Sequence, residues 1–417
     1  MSTVIATHEV VKTTPFYPRL SELNRTGLWT HWSGHLSALR YDLSAKHEYF
    51  AVRNAAGVFD TSPLYKYRIR GSDSERFLAG VMTRDIRSCR PGHAQYTVWC
   101  DDDGFVLEDG VLFRHSETDW LLTAAAPNLG YLHDQVGRLE VAIEDASDAY
   151  GILAVQGPRS REIVSRLVPE MATIPYFGLV EAKVGAAPVT VSRTGYTGDL
   201  GYELFVAADD ALTVLDVLLQ AGEGHGLRPF GEEALLMLRI EAGLALMNVE
   251  FSSSRLAFTD AERFTPNELG FGWMTRNLGD DRAFIGRRAI ERELADGTSR
   301  WATVGLWIDW REYDRLHSDA GLIPPKDETP LAWESMLYDE AHHRVGYATS
   351  LMYSPVLQRH IAMARVLPAY AAKGSTVNVE LTVDHEYRTV PATVDRMPLF
   401  NPPRKMSRAD NPEGKSA

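Results

Sequence analysis

Only two cysteines, no long apolar run and no surplus of basic charge mark this 417-residue sequence, and each shortage excludes something. Cys89 and Cys100 are too far apart for a CxxC pair, and there is no further cysteine to complete a zinc site. Two reduced thiols and no metal centre are therefore expected, which fits a reducing, cytoplasmic compartment. No apolar stretch approaches the roughly 18 residues of a membrane-spanning helix, so no membrane association is expected. Met1 to Thr14 lacks a basic segment followed by an apolar core, which argues against a secretory leader. Lys and Arg number 43 against 56 Asp and Glu, a net charge of −13. That balance excludes a broad nucleic-acid-binding surface while leaving room for a local basic pocket. A GxGxxG run after a strand is also missing, so the sequence carries no fused dinucleotide-binding dehydrogenase.

What is present is an ordinary globular composition, 45% apolar and 24% charged, at a length that calls for two or three cores. Tyr65 to Arg70 alternates with period two and reads as a strand, followed by a short helix capped by Ser72 or Asp73. Lys66, Arg68 and Arg70 on that strand read as a solvated basic face. Tyr96 to Cys100, the turn Asp101-Asp102-Asp103-Gly104, and Phe105 to Phe113 form a hairpin. Ile152 to Val155 is a short strand, after which Gly157-Pro158 opens a helix. Val189 to Arg193 and Tyr202 to Val206 flank a glycine-rich turn, and helices follow over about 209–221 and 231–242. From Trp301 onward the pattern switches to short strands: Ala302–Ile308, Val345–Ser350, Val377–Val383 and Thr389–Val394. Such spacing predicts a separate small β-barrel beginning near 295–300. His342-His343 lies in a polar turn and reads as solvent-exposed.

Several segments carry a more specific signal. They are Ala51-Val52-Arg53-Asn54-Ala55-Ala56-Gly57-Val58-Phe59-Asp60; Gly92-His93-Ala94-Gln95-Tyr96; Gly104 with the acidic pair Glu108-Asp109; and Val155-Gln156-Gly157-Pro158. Further on come the run RTGYTGDLGYE from Arg193 to Glu203, Leu238 to Gly243, Phe284-Ile285-Gly286-Arg287, and Gly346 to Ser350 leading to Ser354-Pro355. In this order they resemble the aminomethyltransferase (T-protein) family of tetrahydrofolate-dependent one-carbon transferases. The resemblance implies an α+β fold, with a folate-binding body of antiparallel sheets and packed helices over 41–298, in two subdomains. A C-terminal β-barrel would cover 299–400, with an N-terminal segment over 1–40 and a flexible tail over 401–417.

The resemblance also assigns roles. Tetrahydrofolate presents a donor-rich pterin edge that a carboxylate can grip with two hydrogen bonds, and Glu203 matches that position. Tyr96, Tyr176 with Phe177, and Tyr196 match aromatic residues at the folate. The glycines of Gly195-Tyr196-Thr197-Gly198 are expected to make a tight turn near it. Arg239 sits among Leu235, Leu236, Leu238 and Ile240, so its charge needs a partner: Glu241, Glu233 or the folate itself. Glu108 and Asp109 match the catalytic acidic pair, where a carboxylate moves protons and stabilises positive charge on the donor heteroatom. Successive strand residues point to opposite faces, and Asp109 is expected to face the ligand.

The sequence departs from the family where the donor binds. Thr61-Ser62-Pro63-Leu64 replaces the usual Ser-His-Met after Phe-Asp, and His31-Trp32-Ser33-Gly34-His35-Leu36 replaces a Gly-Trp-rich stretch. Carrier proteins of the aminomethyl reaction are acidic and would be repelled by a chain at −13 without a basic patch. The sequence therefore favours methyl transfer from a small methylated N-, O- or S-compound to tetrahydrofolate. Aminomethyl transfer giving methylene-tetrahydrofolate and ammonia is the alternative, and a separate carrier or oxidase partner stays open. A non-catalytic folate-binding regulator is a third reading, weakened because its Lys-Gly-Cys-Tyr-x-Gly-Gln motif is missing.

Overall fold

Alternate residues of the strand Tyr150–Gln156 serve different cores, and this organises the body of the protein. Leu153 and Val155 point to one face, where helices Ser160–Leu167 and Ala211–Gly222 bury Ile163, Val164, Val214 and Leu218. Ala154 points the other way, towards Tyr49 and Val52 of helix Ala45–Asn54 and Met237, Leu238 and Ile240 of helix Glu232–Ala242. This computed structural model describes residues 11–276, 278, 282–330 and 334–407. Among them, no helix is long and apolar enough to cross a membrane.

Tyr150–Gln156 lies inside a six-stranded sheet. Its order is Leu179–Val184, Ala187–Ser192, Gly201–Ala207, Tyr150–Gln156, Ala56–Asp60 and Leu227–Pro229. All pairs are antiparallel except the last. A second, five-stranded antiparallel sheet orders His93–Cys100, Val106–Ser116, Asp119–Ala124, Tyr65–Arg70 and Ala142–Asp145. Trp99, Trp120 and Tyr67 fill its core with Phe77 and Leu78 of helix Ser74–Val81. The two sheets meet where Ala94, Phe113 and Leu121 pack on Ile152, Leu179 and Phe205.

The C-terminal strands close a barrel in the order Ala302–Ile308, Arg359–Val366, Arg344–Ser354, Ser335–Tyr338, Thr376–Val383 and Glu386–Asp395. Two of these strands, and the covering helix Trp310–Asp319, escaped the sequence reading. Met352, Ile361 and Met363 on the barrel's outer wall pack against helix Glu232–Ala242, so body and barrel share one interior.

Three expectations are corrected by packing. Lys66 is not on a solvated face: it is fully buried, and its Nζ donates to the Ser62 and Leu64 carbonyls at 2.7 and 2.8 Å. Burial lowers its pKa to about 8. Arg68 and Arg70 both pair with Asp119. The tail expected to be flexible from 401 is held as far as Ser407. Arg193 Nη2 donates to the Lys405 and Ser407 carbonyls at 3.0 and 2.7 Å, and Arg404 Nε to Asp199 Oδ1 at 2.6 Å; the remainder, 408–417, lies outside the described residues. The third concerns the glycines of the 193–203 loop. Only Gly198 there needs a left-handed backbone, at φ 71°. Gly195 and Gly201 are small for a different reason: a Cβ on either would fall 2.1 or 2.2 Å from Gln156 Oε1.

Candidate functional site

The hairpin of His93–Cys100 and Val106–Ser116 places Glu108 opposite Trp99 and Asp109 opposite Val98, on opposite faces. Glu108 is fully buried. Its Oε2 accepts from Ala126 N at 3.1 Å and Asn128 Nδ2 at 3.3 Å, and Oε1 accepts from Asp109 N at 3.3 Å. Asn128 is itself fixed by Tyr67 Oη and by Arg255, which donates to its Oδ1 at 2.9 Å. Asp109 is half-buried, and its Oδ2 accepts from Tyr96 Oη at 2.7 Å.

Burial raises both carboxyls. For Glu108 the neighbouring Asp109 charge adds to the rise; for Asp109 the Tyr96 hydroxyl opposes it. Tyr96 is raised well above the usual tyrosine range by burial and then by Asp109. Its ring meets Phe271 edge-on at 5.7 Å. A carboxylate poised this way, with one fixed donor and an aromatic wall, can take up a proton or stabilise a nearby positive charge.

The 193–203 loop approaches from the other sheet. Gln156, fully buried, knits it together: Nε2 donates to the Thr194 and Tyr202 carbonyls at 3.2 and 3.3 Å, and Oε1 accepts from Thr197 Oγ1 at 2.9 Å. Glu203 pairs with Ser192 across the strands and accepts a hydrogen bond from Thr194 Oγ1 on Oε2. Burial raises its carboxyl, and the Thr194 bond lowers it in part. Among the described residues no group donates to Oε1, which leaves one oxygen for a ligand donor.

Tyr196 donates to the Ala245 carbonyl, so its hydroxyl fixes the 244–250 loop rather than a ligand, and its ring remains as a wall. Tyr196 feels the charges of Arg239, Glu250 and Asp109. Ala245, which accepts from Tyr196, packs in the same apolar cluster as Tyr96, whose hydroxyl holds Asp109, so the 193–203 loop and the acidic hairpin meet there. Tyr176 lies edge-on to Phe177 at 4.7 Å with Lys405 Nζ 5.9 Å from its ring centroid, and Phe177 N donates to the Arg193 carbonyl at the start of the 193–203 loop.

Arg239 has neither of the helix partners expected for it. Its Nη1 meets Glu250 Oε2 at 2.6 Å, and Nη2 donates to Ser350 Oγ at 2.9 Å. Glu250 also accepts from Leu246 N, Thr349 and Ser350. At 1% exposure, Arg239 locks the 244–250 loop to the barrel and so positions Tyr196. Glu241 instead takes Arg53, whose Nη2 lies 2.5 Å from Oε2, together with Tyr49 Oη and Ser354 Oγ. Arg53 Nη1 reaches Asp199 at 3.3 Å. The Arg53, Asp199, Glu241 and Ser354 segments, distant in sequence, thus converge on one buried ion network. No local pattern signalled Glu250, Asn128 or this convergence.

Comparison with known proteins follows the same lines. The GCVT N-terminal domain matches residues 22–277, and the glycine cleavage T-protein C-terminal barrel domain matches 320–401. The chain belongs to the glycine cleavage T-protein family. It is 31% identical over 387 residues to an aminomethyltransferase of Oceanobacillus iheyensis, covering 87% of this chain and 95% of that protein. Identity is also 31% over 398 residues to the Streptomyces coelicolor aminomethyltransferase, covering 91% and 98%. A trimethylamine-oxide aldolase of Ruegeria pomeroyi is 33% identical over 374 residues, covering 87% of this chain but 44% of that protein. The crystal structure of the glycine cleavage system aminomethyltransferase T from Bartonella henselae has the same fold, with a TM-score of 0.78 at 22% identity, over 94% of this chain and 98% of that one. T-protein family membership makes the chain an enzyme, a one-carbon transferase.

Proposed function

We propose that the protein transfers a one-carbon unit to tetrahydrofolate, with Asp109 as the catalytic carboxylate and Glu203 as the pterin anchor. The observation that carries this reading is the meeting of the 193–203 loop and the acidic hairpin through Tyr196, Ala245 and Tyr96, with one oxygen of Glu203 left unengaged. These residues fit tetrahydrofolate. Glu203 Oε1 suits its amino and ring N–H donors, while Tyr96 and Phe271 stand beside Asp109 and Tyr196 lies in the loop that carries Glu203. When bound, tetrahydrofolate supplies the nitrogen that accepts the one-carbon unit. Asp109, supported by Tyr96, takes up the proton released there or balances positive charge on the departing donor. Tyr96 and Phe271 keep water away from that carboxylate. Glu108 holds the hairpin through Ala126 and Asn128 without facing the ligand.

Aminomethyl transfer is the reading that the relatives' names support better, and it takes precedence over the methyl-donor reading favoured by sequence. The methyl-donor reading stays as the second, on two observations. One is the departure at Thr61-Ser62-Pro63-Leu64; the other is the resemblance to a trimethylamine-oxide aldolase. The divergent hairpin Trp29–Trp32 and His35–Ala38 supports a changed donor end: Ser33 Oγ donates to Ala125 O at 2.9 Å, next to the Ala126 N–H that holds Glu108. Mass spectrometry of folate products from an aminomethyl carrier and a panel of methylated amines, ethers and thioethers tests both. Methylene-tetrahydrofolate with ammonia supports the first reading, and methyl-tetrahydrofolate the second. No folate product from any donor removes the proposal.

A further inference from the structure

Arg365 lies on strand Arg359–Val366, whose alternate residues have two surroundings. Ala362, Ala364 and Val366 fill the barrel core, whereas Ile361 and Met363 face the body. Arg365 continues that outward row and is 3% exposed. Its Nη1 donates to Tyr347 Oη at 2.7 Å, and its guanidinium lies over the Phe264 ring, 3.8 Å from the centroid. Nε and Nη2 are buried, and among the described residues neither finds an acceptor. These two nitrogens form one edge of the planar guanidinium, with N–H groups set at the spacing of a carboxylate's two oxygens.

Arg365 differs from two other buried arginines, Arg53 and Arg239. Arg53 and Arg239 each meet a buried carboxylate, Glu241 and Glu250. Near Arg365 the carboxylate of Glu268 is already held by Arg300 through both oxygens. Arg300 itself approaches the same Phe264 ring, at 5.9 Å. A second buried carboxyl close by, that of Glu293, accepts from Thr265 Oγ1 and Ser299 Oγ, and among the described residues no carboxylate meets the Arg365 guanidinium itself. A buried charge without a counter-charge is unfavourable unless a ligand completes it.

We propose that the Nε/Nη2 edge of Arg365 is a carboxylate-binding site that receives the acidic arm of a ligand bound at the Asp109 site. Phe264 shares one apolar cluster with Phe271, Met247 and Tyr96, whose hydroxyl holds Asp109. Met363, two residues before Arg365, touches Arg239 Nη1 at 3.7 Å. Arg365 is therefore part of the barrel-side wall of the same interior. Two ligands of the proposed reaction can carry such an arm: tetrahydrofolate, through its glutamate, and an amino-acid donor, for which N-methylglycine is the probe. The first source rests on the folate reading; the second does not.

Calorimetric titration of the wild type, Arg365→Met and Arg365→Lys tests the site with three probes: tetrahydrofolate, 6-methyltetrahydropterin (the same ring without the glutamate) and N-methylglycine. Arg365→Met is expected to raise Kd at least tenfold for tetrahydrofolate or for N-methylglycine, and to leave 6-methyltetrahydropterin within about twofold. Arg365→Lys keeps the charge but loses the planar edge, and should recover less than half of that loss on a logarithmic scale. Arg365→Met also loses the Tyr347 hydrogen bond and the Phe264 ring contact, so its ligand-free melt serves to show that the variant is folded, and 6-methyltetrahydropterin controls for its effect on the site. The site is overturned if both carboxylate probes bind the Met variant as they bind wild type, or if 6-methyltetrahydropterin loses as much as they do. If neither folate compound binds wild type, the folate reading falls while N-methylglycine still decides Arg365. Binding of none of the three overturns both.

Discussion

Replacing Asp109 with Asn separates catalysis from binding and from stability. Asn keeps the shape and an acceptor for Tyr96 Oη, now 2.7 Å from Oδ2, but removes the charge and the capacity to take up a proton. If Asp109 acts only while the one-carbon unit moves, kcat should fall by roughly 10²–10³, or about 3–4 kcal/mol of transition-state stabilisation. The tetrahydrofolate Kd should stay within about threefold, because Glu203 rather than Asp109 grips the pterin. Stability supplies an independent check. The folded-state carboxyl of Asp109 is raised above its unfolded value, chiefly by burial. Folding therefore favours its protonated form, and the stability it contributes is greatest in acid and lost as pH rises through the raised value. Asp109→Asn should consequently melt no lower than wild type at neutral pH. The wild-type kcat should fall as pH drops through that same raised value, with its acid limb above the ordinary aspartate range near about 4. Single-turnover kinetics with calorimetry and thermal melts of wild type, Asp109→Asn and Glu108→Gln would measure all of this. A Glu108→Gln enzyme slower than Asp109→Asn would show that the wrong face of the hairpin was chosen. Full activity in both would make the acidic pair structural and refute the mechanism.

Other expectations follow from the surrounding contacts. Glu203→Gln sets an amide where the pterin donors need a carboxylate, and should weaken tetrahydrofolate binding at least tenfold, about 1.5–3 kcal/mol; unchanged affinity by calorimetry would mean that the carboxylate points elsewhere. Gly201→Ala would drive a Cβ to 2.2 Å from Gln156 Oε1, and Gln156 is held by three hydrogen bonds. It should destabilise the fold by about 1–3 kcal/mol in urea, and an unshifted midpoint would contradict the wedging. Arg53→Met removes the cation between Glu241 and Asp199 and should destabilise by about 3–5 kcal/mol, the usual size for a broken buried pair; a loss below about 1 kcal/mol would show the network to be dispensable.

The sequence by itself determined the elements with local causes. Period-two alternation located Tyr65–Arg70, the Asp101–Gly104 turn fixed the acidic hairpin, and the strict alternation of a strand put Glu108 and Asp109 on opposite faces. Ordered motifs likewise determined the family. Strands Ser335–Tyr338 and Arg359–Val366 were lost for local reasons, one being only four residues long and the other mixing Arg359, His360 and Arg365 with apolar residues without a clean alternation. Tertiary structure alone decided where the charges go. Lys66 alternates like a surface residue, yet it is buried because the Ser62 and Leu64 carbonyls turn back to meet it. Arg239 could have paired within its helix, but Glu250 arrives from a loop and Ser350 from the barrel. Gly195 and Gly201 look like turn glycines, yet they are small because Gln156 of a neighbouring strand needs the space. A buried ion pair or a close approach depends on groups brought together by folding, and spacing along the chain carries no record of them.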